Sequence, residues 1–208
     1  LNVNKIHFVL ASCKNKQTLI KKIYSLLDEY RKDYSLKANT YYYNKLAIAN
    51  RWDTADVIFI KRLLQVELQE TVRNIFTDIL FKEFVTDNEA AFSRALYMNE
   101  SQLKCMYRNG MHIGAHGYDH YWLNSLNSIQ QEREIKKSLA FLKSIGINVD
   151  RDGWTICYPY GAYDESLLAV LKKYNCSLGF TTVAEQAVLI ADNMYKLARL
   201  DANDVYNL

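Results

Sequence analysis

Gly110-Met111-His112-Ile113-Gly114-Ala115-His116-Gly117-Tyr118-Asp119-His120 holds three of the chain's four histidines within nine residues. Its first part, 111–115, is a short strand candidate, and from His116 onward it becomes a polar, aromatic loop. Catalytic side chains in α/β folds collect where parallel strands end and loops begin. Imidazole nitrogens are the commonest neutral metal ligands, and catalytic zinc takes three protein ligands plus water. His116 and His120, four residues apart, converge on one ion if the segment turns like a helix just after the strand. Histidine clusters also occur as solvated loop residues or as hydrogen-bonded core residues. His112 is the weaker member, because it lies inside the strand.

Downstream, 154–157 reads as a strand that ends at Tyr158-Pro159-Tyr160-Gly161. A lone proline beside a glycine makes a rigid turn with exposed backbone N–H groups. Such groups can stabilise an oxyanion, or the turn can simply join a strand to a helix. Between these two strand ends, Ser128 and Gln131 have capping-box spacing. The helix behind them carries Ile135, Leu139, Leu142 and Ile145 on one face and stops at Gly146. Asp164 opens another helix with Leu167, Leu168, Leu171 and Tyr174. Residues 178–182 form a further strand, and 197–200 are a last candidate. Alternating strands and helices predict right-handed crossovers and a parallel sheet.

The first half of the chain has a different character. All seven glycines and the single proline, Pro159, lie at or after position 110. A half without these punctuators favours helices joined by polar loops. Leu19, Ile20, Ile23, Leu26, Leu27 and Tyr30 recur at helical spacing. Asp53 or Thr54 caps a helix with Val57, Ile60, Leu64 and Leu68 on one face, and the pattern resumes from Val72 to about Phe84. Residues 88–97 and 101–108 read as two shorter helices. The apolar run 6–11 is the one strand candidate. The expected division is a helical elaboration over 1–98 and the chemistry-bearing part over 99–208, within one structural domain.

Length and composition bound the function. The chain has 208 residues, is 50% hydrophobic and 24% charged, and carries a net charge of +3. That is ordinary globular material with room for a sizeable core. The charge is too mild to point to nucleic acid. No stretch approaches the roughly 18 apolar residues of a membrane span. The start at Leu1 shows no basic and apolar leader pattern, although the missing initiator Met leaves room for an upstream segment. Four cysteines, Cys13, Cys105, Cys157 and Cys176, form no Cys-x-x-Cys pair. They read as thiols of a reducing compartment, so a cytoplasmic location is expected. Oligomeric state is left open.

In order and spacing, the two strand-end segments resemble the polysaccharide deacetylase family (carbohydrate esterase family four, the NodB-homology domain). That family has Gly-x-x-Ile-Gly-x-His-[Ser/Thr]-x-x-His, which residues 110–120 closely match, followed about forty residues later by Arg-x-Pro-[Tyr/Phe]-Gly, matched by 157–161. The resemblance covers roughly 99–204. It implies an α/β fold: a partial or distorted (β/α) barrel with a helical insertion in the first half. It implies a divalent metal, most readily Zn²⁺, on His116 and His120, and hydrolysis of the N-acetyl group of an amino-sugar substrate. By the same resemblance the backbone N–H of Tyr160, after Pro159, would help hold the oxyanion. Tyr118, Tyr121 and Trp122 beside the metal loop would either stack on a sugar ring or pack at the rim.

The departures from the family shape the remaining expectations. The family opens with Thr-Phe-Asp-Asp-Gly, whose aspartates supply the base and the third metal ligand. This chain has no Asp-Asp pair. It therefore reads as a family member without its N-terminal portion, inactive by itself, with a sheet gap next to His116 and His120. Cys157 stands where the family has an arginine that orients the base, and Gly117 replaces Ser/Thr. The late Leu-x-His-Asp segment is absent. Arg199 and Asp201 occupy about that place, either in an orienting or acid role or as a surface ion pair. Asp119 could at best support one of the histidines. Two other readings stand beside the deacetylase. One is a hydrolase using His112, His116 and His120 together. The other is a non-catalytic remnant, a glycan-binding scaffold of the same fold.

Overall fold

The first seventeen residues already depart from a strand reading. α1 (Asn2–Ser12) takes in the apolar run 6–11, and α2 (Lys16–Tyr30) follows behind an Asn15 cap that accepts from the Gln17 N–H. The computed structural model describes residues 1–190 and 193–205. The expected strand fails because Ile6, Val9 and Leu10 are the buried positions. Their spacing of three and four is a helical period that a short run hides.

The remaining helices of the first half are α3 (Asn39–Leu46), α4 (Ala55–Arg62), α5 (Glu70–Phe84) and α6 (Glu89–Leu96). α4 runs into a π-helical turn over Leu63–Glu67. These elements make a compact unit, Leu1–Leu96, whose core joins Ile6, Leu19, Ile23, Phe59, Leu63 and Phe76.

The second compact unit starts at Tyr97. α7 (Glu100–Arg108) has a complete Asn99–Gln102 capping box. α8 (Ser128–Ser144) has another, formed by Asn127 and Gln130. The cap thus lies one residue before the expected Ser128–Gln131 pair. Asn caps as well as Ser, and Gln131 is buried for other uses. α8 ends as expected at Gly146 (φ +98°), where the N–H of Gly146 reaches Lys143 O and that of Ile147 reaches Leu142 O. These two bonds are a Schellman termination.

β1 (Thr155–Cys157), α9 (Glu165–Lys173, capped by Asp164) and β2 (Leu178–Phe180) follow, and α10 (Ala202–Val205) comes last. β1 and β2 pair in parallel, with Ile156 opposite Gly179. Single parallel bridges extend the order on both sides, Ala115 to Ile156 and Phe180 to Leu197. The expected strands at 111–115 and 197–200 are thus reduced to one bridge each. The parallel order Ala115, β1, β2, Leu197 follows the chain, and among the described residues nothing pairs beyond Ala115. Among the described residues this is a helix-rich α/β unit with a two-stranded sheet and single bridges on either side. Trp154, Ile156, Tyr158, Leu167, Leu171 and Ile135 form its core. No helix among the described residues is long and apolar enough to cross a membrane.

Candidate active site

Backbone bonds from Ala115 N to Thr155 O (2.7 Å) and from Cys157 N to Ala115 O (3.0 Å) bring the two motif segments side by side. The chain leaves the Ala115 bridge directly into His116. Its Nδ1 lies 2.6 Å from Cys157 O. A carbonyl only accepts, so this contact makes Nδ1 the protonated nitrogen and leaves the lone pair on Nε2, the tautomer in which Nε2 ligates metal.

Gly117 (φ +71°) then reverses the chain, and a Cβ there would sit 3.2 Å from Pro159 Cγ. Both features favour glycine at this position. His120 is also left-handed, at φ 58°, a conformation uncommon for a residue with a Cβ. The two turns bring the rings of His116 and His120 to 4.8 Å between centroids.

Tyr160 closes one side. It is left-handed at φ 58° within the 3₁₀ turn Pro159–Gly161. Its ring meets His120 edge-on at 4.9 Å and lies flat on Trp122 at 4.6 Å and 11°. His116, His120, Trp122, Pro159 and Tyr160 are therefore brought together.

Other expected residues lie differently. Tyr118 is exposed, and its ring carries Lys137 Nζ at 4.6 Å. It faces α8 and does not join the Trp122–Tyr160 stack. Asp119 also faces α8, with Oδ2 3.1 Å from Lys137 Nζ. His112 Nε2 lies 3.0 Å from Thr155 Oγ1.

Arg199 donates from Nε to Thr181 O (2.8 Å), and its Nη1 is 3.7 Å from Cys157 Sγ. A guanidinium therefore stands beside the position where the family carries an arginine. The backbone N–H of Asp201 donates to Asp204 Oδ2 at the start of α10.

The two imidazoles suit Zn²⁺. Among the described residues no group of three His, Cys, Asp or Glu side chains is placed to hold one ion. The residues present fit two positions of a metal site, and the three-histidine arrangement is not formed.

Glu134 of α8 is signalled by no motif in the sequence, and Gln131, expected as the capping partner of Ser128, serves elsewhere. Glu134 is 1% exposed, and its Oε2 accepts from the N–H groups of Tyr118 (3.1 Å) and Asp119 (2.8 Å). Burial pushes its carboxyl above the ordinary glutamate range, opposed by the Asp119 N–H and reinforced by the neighbouring Asp119 carboxylate. Gln131 is fully buried and donates to Leu123 O and the Asp164 carboxylate. The available signal was two polar residues beside the apolar stripe of α8.

Comparison with known proteins gives a consistent family. The polysaccharide deacetylase family model matches residues 14–179, beginning well ahead of residue 99. Over 87 residues the chain is 34% identical to a Bacillus subtilis (strain 168) protein named "Putative polysaccharide deacetylase YxkH". That match covers 41% of this chain and 30% of the relative. The chain thus spans less than a third of that relative's length. Among solved structures, the Streptococcus pyogenes deacetylase PplD in complex with acetate aligns with a TM-score of 0.46 and 20% identity, over 64% of this chain and 63% of that one.

Proposed function

The chain belongs to the polysaccharide deacetylase family, and from that membership we propose that its second unit carries the two-histidine part of a metal-dependent N-deacetylase centre acting on an acetylated amino sugar. The observation that carries this reading is the His116–His120 pair, 4.8 Å apart and opening beside the C-terminal end of β1. His116 has its Nδ1 committed to Cys157 O, which leaves Nε2 to ligate.

His116 and His120 would hold the ion. When bound, a divalent ion such as Zn²⁺ supplies Lewis-acid polarisation of the acetamide carbonyl and a water of lowered pKa. The backbone N–H of Tyr160 is assigned to the developing oxyanion. The Trp122–Tyr160 shelf beside the histidines offers an aromatic face to a sugar ring. Arg199 is assigned an orienting role through its place at Cys157, and Asp201 remains the acid candidate. The parallel order Ala115, β1, β2, Leu197 supports reading the unit as part of a distorted (β/α) barrel.

A general base typically contributes about 10²–10⁴-fold. No described carboxylate joins the two imidazoles in a three-ligand group. We therefore expect this chain alone to release little acetate from N-acetylglucosamine oligomers or nucleotide-linked N-acetyl sugars. The same observation supports a second reading, a glycan-binding scaffold without catalysis.

The deciding assay is acetate release with added Zn²⁺ or Co²⁺, in the presence and absence of formate as a replacement carboxylate. Slow, formate-dependent release that disappears in His116→Ala supports the catalytic reading. Bound oligosaccharide with no release under any condition supports the scaffold and overturns the catalytic one.

A further inference from the structure

α8 presents Gln131, Glu134 and Ser138 in steps of three and four, one stripe of a helix. All three are buried, at 0%, 1% and 7% exposure. A carboxyl in such a place is costly unless its oxygens are bonded. Of the two Glu134 oxygens, Oε2 accepts from two consecutive amides, those of Tyr118 and Asp119, which lie between His116 and His120, while Oε1 has no hydrogen-bond partner among the described residues.

The same segment is left-handed just before these amides, at Gly117, and just after them, at His120. Its curl is therefore held at its middle by Glu134 Oε2. Neighbouring α8 side chains hold it on either side. Lys137 takes the Asp119 carboxylate, and Gln131 takes Leu123 O at 3.0 Å. Gln131 also binds Asp164, the cap of α9. With a capping box at its start and a Schellman termination at its end, α8 is a fixed frame for this loop.

We propose that Glu134 is the positioning residue of the candidate centre, setting the separation of His116 and His120 by holding the Tyr118 and Asp119 amides from α8. This rests on the reading that the two histidines ligate a metal. Ligand-orienting partners of this kind typically change metal affinity by about 10–100-fold.

The test uses Glu134→Gln, which keeps an oxygen at the same reach, and Glu134→Asp, which keeps the charge and shortens the reach. Amide hydrogen exchange at Tyr118 and Asp119 is measured in metal-free protein, and Zn²⁺ affinity by calorimetry. The Gln variant should match the parent within about twofold. The Asp variant should exchange those two amides about tenfold faster or more and bind Zn²⁺ about 10–100-fold more weakly. A purely structural role would speed exchange evenly across α8 and β1. That uniform pattern, an Asp variant equal to the parent, or a Gln variant that loses the two amides would each overturn the proposal. If the parent takes up no Zn²⁺ while the amide pattern holds, the metal reading falls and Glu134 stands as the anchor of the histidine loop.

Discussion

Tyr160 lies flat on Trp122, 4.6 Å between centroids and 11° between planes, while its edge meets His120 at 4.9 Å. The aromatic shelf and the histidine pair are therefore one contiguous surface. Stacked aromatic pairs contribute about 0.5–1.5 kcal/mol beyond their area. Trp122→Ala should lower unfolding stability by at least that much. It should also weaken binding of N-acetylglucosamine oligomers, read by calorimetry. Unchanged oligosaccharide affinity in a folded Trp122→Ala protein would remove the shelf from the substrate site.

Gly117 tests the local backbone. Its φ of +71° and the 3.2 Å approach that a Cβ would make to Pro159 Cγ both oppose a side chain. Gly117→Ser restores the residue type of the family motif, yet here it should cost about 1–2 kcal/mol. Denaturant unfolding is the measurement. A stabilised Gly117→Ser protein would show that the loop prefers a different conformation.

The four thiols should differ in reactivity. Cys105 is exposed, whereas Cys176 is buried and its thiol is pushed up to about 12 by desolvation, despite the Leu178 backbone contact. The thiolate is the reactive form. Iodoacetamide at neutral pH should label Cys105 first and Cys176 only after unfolding. Peptide mass spectrometry reads the order, and early labelling of Cys176 would contradict the packing around β2.

Glu132 sets an acid dependence. The Tyr174 hydroxyl, with Lys136 and Lys173, lowers its pKa from 4.5 to about 2. A depressed carboxyl adds stability that is fully present above 4.5 and is lost as pH falls through about 2. The difference in melting temperature between the parent and Glu132→Gln should therefore be constant above pH 4.5 and close as pH approaches 2. A difference that widens in acid would refute the assignment.

The parts legible in the sequence were those fixed by local chemistry. His116 and His120 stood out because a strand-to-loop change and a four-residue spacing are local signals. Asp164 as a cap and Gly146 as a helix stop were readable for the same reason, and α5 announced itself by its apolar period. The helix over 6–11 was hidden because a short apolar run carries either period equally well. Strands 111–115 and 197–200 were overread, since pairing beyond one bridge depends on partners that local sequence does not specify. Glu134 was missed because a glutamate in an amphipathic helix ordinarily faces water, and only the fold reveals that it is buried against two amides. Tyr118 and Asp119 both meet Lys137 of α8, a partner nineteen and eighteen residues away that local sequence does not specify.

The central claim is that His116 and His120 together hold a divalent ion, and Zn²⁺ titration of metal-free protein by isothermal calorimetry tests it most directly. The account predicts one equivalent bound with an affinity well short of the roughly 10–16 kcal/mol of closed structural zinc sites. It predicts loss of that binding in His116→Ala, His120→Ala, while His112→Ala binds as the parent does. Equal uptake by the double variant and the parent, or no uptake by the parent, would contradict it.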